Sequence, residues 1–153
     1  MNKKHKKWLF FTALFFLNIF IAIPRASGQQ NYNPIALAYF KSSLENLIHG
    51  NYERVIADCN QVLRLDPNSA VTFTIRARAF YEMGDLDRAI ADSTQAIRLD
   101  RNNIGALTIR ASSHSKKDDL DRAITDWQAI LRINPNVADV RANVEKARQQ
   151  RGH

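Results

Sequence analysis

Cysteine is nearly absent: the 153 residues hold one, Cys59. A single thiol cannot close an internal disulfide, so the fold rests on packing alone. A bond between two copies through Cys59 is the one disulfide open to it, and free cysteines are usually buried. Glycine (five) and proline (four) are also scarce, and the glycines do not cluster into a phosphate-cradling loop. Of the four histidines, His49, His114 and His153 lie far apart with no Cys or acid cluster at ligand spacing, which argues against a metal site. No stretch alternates with the period-two pattern of a strand. No cofactor is implied.

An excess of positive charge is missing too, once the N-terminus is set aside. Lys3, Lys4, His5, Lys6 and Lys7 precede an apolar run from Trp8 to Ile23, and Ala26 and Gly28 place small residues after it. A basic start, an apolar middle and a small-x-small end describe a secretory signal peptide cut after Gly28. The run has 16 positions, short of the roughly 20 a spanning helix needs. The expected site of action is the periplasm or the exterior. The alternative is an uncleaved membrane anchor at residues 8–23. The whole chain carries 22 Lys+Arg against 15 Asp+Glu, and residues 1–28 hold five of the basic residues and no acid. The remainder is therefore 17 against 15, a net +2. That balance withdraws the main support for a nucleic-acid partner, which needs a basic patch on the folded domain. The remaining 125 residues suit one domain, long enough to bury a core.

What is present is repetition. Leu86-Asp87-Arg88-Ala89-Ile90 recurs as Leu120-Asp121-Arg122-Ala123-Ile124, 34 residues later. The interval holds elsewhere. Gly50, Gly84 and Asp118 align, each before a polar helix-cap candidate at Asn51, Asp85 or Asp119. So do Asp58, Asp92 and Asp126, then Arg64, Arg98 and Arg132, then the endings Asp66–Asn68, Asp100–Asn102 and Asn134–Asn136. After a linker at residues 29–35, three units follow: 36–69, 70–103 and 104–137. Each reads as two helices and a short turn, with acids such as Asp87 in a first turn and arginines such as Arg98 in a last turn, as the helix dipole favours. One helix pair cannot bury its apolar face alone, so the units stack. Residues 138–153 add a helix whose Val140, Val144 and Ala147 form one narrow apolar stripe, suited to capping the last unit.

The period and its slots resemble the tetratricopeptide repeat, whose pattern is W-x2-L-G-x2-Y, A-x3-F and P over 34 residues. Phe73, Ala77, Phe80, Ala89 and Ser93 take those slots in the second unit; Leu107, Ala111, His114, Ala123, Trp127 and Pro135 take them in the third. The first unit departs most, with Ser42, Ser43 and Asn46 at the Leu, Gly and Tyr slots. Arg76 and Arg110 both replace the Leu slot, and Arg101 replaces a proline, which predicts a looser turn there.

The resemblance implies an all-α, right-handed α-solenoid of three helix-turn-helix units plus a capping helix, with a concave groove lined by each unit's first helix. Such surfaces bind peptides or proteins. By family analogy the groove residues are Phe40 and Leu44, then Thr74, Arg78 and Tyr81, then Thr108, Ser112 and Lys116. The expected activity is that of an exported interaction module, an adaptor or assembly factor, with a partner the sequence does not name. The alternative is a homo-oligomer joined through Phe40 and Leu44 of the first unit. Some relatives grip a terminal carboxylate with a Lys/Asn/Arg clamp; the matching positions here are Phe40, Leu44, Ile75, Gly105 and Ile109, none of which can donate a side-chain hydrogen bond. An enzyme is not expected. Ser113, His114, Asp118 and Asp119 come nearest to a hydrolytic set, but adjacent helical residues point apart, and His114 sits where Phe80 packs one unit earlier.

Overall fold

The computed structural model describes residues 33–152. The export segment with its cut after Gly28, the anchor alternative at residues 8–23 and most of the 29–35 linker lie outside the described residues. The described chain is seven helices: α1 (Pro34–His49), α2 (Tyr52–Leu65), α3 (Ala70–Glu82), α4 (Leu86–Leu99), α5 (Ile104–Lys116), α6 (Leu120–Ile133) and α7 (Ala138–Arg151). No strand occurs among the described residues, and no helix there is long and apolar enough to cross a membrane. The chain is an all-α solenoid in which each helix packs on the next and α1, α3 and α5 also touch in series.

Local chemistry sets the helix ends. Asn33 Oδ1 accepts from the Ile35 N–H at 2.9 Å, with Pro34 opening α1. Ser69, Asp85, Asn103 and Asp119 cap α3, α4, α5 and α6 through their side chains, each satisfying an N–H that the helix leaves unpaired. Asn51 differs: it makes no cap bond to α2, and its amide reaches Asn46 Oδ1 at 3.3 Å. The turn inside each unit passes through left-handed backbone, at Gly50 (φ 74°), Gly84 (φ 81°) and Asp118 (φ 61°). Between units, Asp66, Asp100 and Asn134 accept the N–H two residues on, at 3.3, 3.0 and 3.1 Å. The turn with Arg101 in place of proline therefore keeps the same bond as its neighbours.

Packing follows from the small residues. Ala77, Ala79, Ala89, Ala96, Ala111 and Ala123 are fully buried, so neighbouring helices approach closely and larger side chains fill the spaces beside them. One cluster joins Val55, Cys59, Ile75 and Ala79; a second joins Ala77, Phe80, Ala89 and Ile109; the largest runs from Leu107 and Trp127 to Val140, Val144 and Ala147 of α7. A fully buried Ile130 contributes about 2 kcal/mol by burial alone.

The outer faces of the first and last described helices are polar. α7 buries Val140, Val144 and Ala147 against α6. Its next face carries Arg141, Glu145 and Arg148, all exposed, at the register where α5 buries Leu107, Ala111 and His114. A further helix would meet charge there. At the other end, α1 presents Ala38, Ser42 and Glu45 where α3 turns Thr72, Arg76 and Ala79 toward the preceding unit. Neither of these two faces is apolar.

Candidate functional site

The first helices of the three units share one surface stripe. Leu37, Leu44 and Ile48 on α1 correspond at the 34-residue register to Val71, Arg78 and Glu82 on α3 and to Gly105, Ser112 and Lys116 on α5. The stripe changes character along the stack, from aliphatic on α1 to charged on α3 to polar and basic on α5.

The anticipated groove residues fall into three groups. Phe40 is half-buried against the Val55–Cys59–Ile75–Ala79 cluster, while Leu44 stays exposed. Thr74 and Thr108 donate their hydroxyls to their own helix, to the Ala70 and Ile104 carbonyls at 2.9 and 2.8 Å. Thr74 also accepts from Asn103 Nδ2 at 3.1 Å. Arg78 is held by Glu82 one turn on, Nε to Oε1 2.6 Å. Tyr81, Ser112 and Lys116 come together at one recess of about 340 Å³, with the Lys116 ammonium 4.0 Å from the centre of the Tyr81 ring. Asn143, Lys146 and Gln150 of α7 also line that recess, together with Leu120 and Trp127 of α6. The α7 contribution was missed from sequence, where that helix reads only as a cap; its polar residues at positions 143, 146 and 150 share one face, which was the available signal.

A second feature was also missed. Arg76 and Arg110 are inter-helix clamps. Arg110 makes paired bonds to Asp126 (2.8 and 2.7 Å) and reaches back to Thr94 of the preceding unit at 3.2 Å. Arg76 does the same with Asp92 (2.7 and 2.8 Å) and Asn60 (2.6 Å). The contact with Asp92 raises the pKa of Arg76 further. Each guanidinium thus ties three helices and two units. In the first unit Ser42 and Asn46 take the arginine's part and donate to Asp58, at 2.6 and 3.3 Å. The irregular residues of that unit are its substitute for the arginine. Cys59 beside them is fully buried, and that burial pushes its thiol up to about 12, so it is inert at neutral pH.

The residues nearest to a hydrolytic set do not assemble. Ser113 is buried and donates to the Ile109 carbonyl at 2.8 Å. His114 is 7% exposed, with Nδ1 3.6 Å from the Asp119 carboxylate. Burial lowers its pKa, partly opposed by Asp119. No cluster of metal-ligating side chains occurs among the described residues. At the family's carboxylate-clamp positions, Ile75 and Ile109 are buried, and a side chain at Gly105 would press on Thr74, 3.3 Å away.

Comparison with known proteins agrees with this architecture. Residues 72–103 match the family model of the tetratricopeptide repeat. No curated protein sequence matches the chain. Among solved structures, the first TPR of Spaghetti (RPAP3) bound to the HSP90 peptide SRMEEVD is 22% identical, with a TM-score of 0.76 over 82% of this chain and 100% of that one. The second TPR domain of human RPAP3, in complex with the HSP70 peptide SGPTIEEVD, is 24% identical, with a TM-score of 0.70 over 74% of this chain and 95% of that one. The crystal structure of MamA protein is 21% identical, with a TM-score of 0.72 over 77% of this chain and 64% of that one. Residues 72–103 thus match a tetratricopeptide repeat, and the described chain shares the fold of tetratricopeptide-repeat domains.

Proposed function

We propose that the chain is an exported protein-interaction module, an adaptor or assembly factor, that holds a segment of a partner protein on the face formed by α1, α3 and α5. The observation that carries this reading is the recess at Tyr81, Ser112 and Lys116, where two units and the cap turn polar and aromatic side chains to one place. Structural relatives with peptides bound to the same fold support it. The module is non-catalytic, and it works in the periplasm or outside the cell after cleavage at Gly28. A photocrosslinking residue at Tyr81, in the native cell, should capture one recurrent partner that the same residue at Gln95, exposed on α4, does not. Equal capture from both positions would refute the groove reading. Detection of the N-terminus at Gln29 in the isolated protein checks the export step; an intact Met1 refutes cleavage.

A second reading rests on the exposed aliphatic stripe Leu37, Leu44 and Ile48 of α1. Two copies joined there would bury it, as in the homo-oligomer alternative. A monomer mass that does not change with concentration eliminates that association.

A further inference from the structure

The two ends of the binding face differ in chemistry, and the difference specifies a ligand. At the α1 end, Leu37, Leu44 and Ile48 are 43, 39 and 58% exposed. They follow one another at seven- and four-residue spacing, so they form one continuous aliphatic strip. In the middle, Arg78 and Glu82 neutralise each other. At the far end, Lys116 and Lys146 both line the recess. Among the described residues neither ammonium has a carboxylate within ion-pairing distance; the salt bridges nearby join other groups, Lys117 to Asp87 and Arg151 to Asp121. Asp118 on the recess wall offsets one of the two charges. The remaining lining of Ser112, Asn143 and Gln150 supplies hydroxyl and amide donors.

We infer that the groove takes an extended, acidic–apolar segment of a partner protein, with apolar side chains laid on α1 and a carboxylate in the recess beneath Lys116 and Lys146. This rests on the groove reading above and adds the composition and direction of the bound segment. Two ammonium groups, one of them over the Tyr81 ring, face a single recess carboxylate, Asp118, so an incoming carboxylate there replaces water with charge-assisted bonds. The aliphatic strip gains only from apolar contact. A ligand that reverses this order would set carboxylates on Leu44 and Ile48 and leave the lysines unmatched, and that mismatch selects against it. The distance is consistent with an extended segment. Three steps between adjacent helices at roughly 9 Å each span about 27 Å, the reach of about eight residues. The site is built on the end of α5 and on α7. It is separate from the positions at which relatives clamp a terminal carboxylate, which here hold Phe40, Leu44, Ile75, Gly105 and Ile109.

The test is selection from a random 12-residue peptide library, displayed with free C-termini, on the immobilised full-length chain. Parallel selections use Lys116→Gln/Lys146→Gln, Leu44→Ser/Ile48→Ser and Tyr81→Ala, each checked for native helicity and melting. The unmodified chain should enrich peptides with apolar residues toward one end and Asp or Glu toward the other. Its best peptide should lose roughly tenfold in affinity for the double-lysine variant, as expected for two partly exposed ion pairs. That peptide with Glu and Asp changed to Gln and Asn should bind the chain and the double-lysine variant equally. The Leu44/Ile48 variant should keep the acidic preference and lose the apolar one. Peptides without acid enrichment, or an acid preference that survives the double-lysine change, overturn the inference while leaving the groove reading intact. Failure to enrich anything beyond the Tyr81→Ala pool removes both.

Discussion

Arg110→Met is the substitution that tests how the units are held together. The Asp126 side chain is 6% exposed and that of Arg110 22%. Both Asp126 oxygens are bonded by Arg110. Methionine keeps much of the apolar volume but leaves a buried carboxylate without its cation and removes the 3.2 Å bond to Thr94. Breaking a buried pair from one side costs about 3–5 kcal/mol. The partial exposure of Arg110 lets water reach the site, so the lower end, about 3 kcal/mol, is expected. At this chain length that is a fall in Tm of about 12 °C. Asp126→Asn should cost less, about 1–2 kcal/mol, because the guanidinium left behind can turn toward solvent. The double change Arg110→Met/Asp126→Leu should lie within about 1 kcal/mol of the unmodified chain, since replacing both members of such a pair with apolar groups is often neutral. Urea unfolding followed by circular dichroism gives these values, and with Asp126→Leu as the second single variant it closes the cycle that yields the coupling energy. A cost below about 1 kcal/mol for Arg110→Met, or a double variant as unstable as the single, would refute the view that this pair ties the units.

His114 makes stability depend on pH. Burial holds its folded pKa below the ordinary value of 6.5, so the unfolded chain takes up the proton first. The folded state is then penalised as pH falls below about 6.5, until the folded pKa is passed. His114→Phe, which restores the residue type of Phe80, should flatten the dependence of Tm on pH between 7 and 5; an unchanged slope contradicts the assignment. Gly84 sits at φ 81° with open space around it, so Gly84→Ala should cost about 1 kcal/mol through backbone strain alone. Asp118 occupies the same turn position at φ 61°, and Asp118→Gly should raise stability there; chemical denaturation reads both, and a stabilising Gly84→Ala would contradict the reasoning.

Much of the fold was legible because a 34-residue period is a strong signal: it aligns Gly84 with Asp118 and Asp92 with Asp126 without reference to any structure. The inter-unit clamps were not legible by the same route. Arg76 and Asp92 lie 16 residues apart across a turn, a spacing that no within-helix template tests, and an arginine in a leucine slot reads as a departure. The constant interval, repeated at Arg110 and Asp126, was the trace it left. The proposed binding face could be read from the sequence only as a set of aligned positions. Phe40 belongs to that register yet packs partly against the cluster around Cys59, which its alignment with Thr74 and Thr108 does not reveal. The recess was hidden further, since Asn143, Lys146 and Gln150 in its lining come from α7, and only three-dimensional packing brings Lys146 beside Lys116.

The central claim is that the face built from α1, α3 and α5 holds a partner, and the affinity of a captured partner segment for surface variants tests it most directly. Titration calorimetry should show at least a tenfold loss for Tyr81→Ala and no change for Gln95→Ala, with both variants folded. Equal affinities for the two variants would place the partner elsewhere and contradict the account.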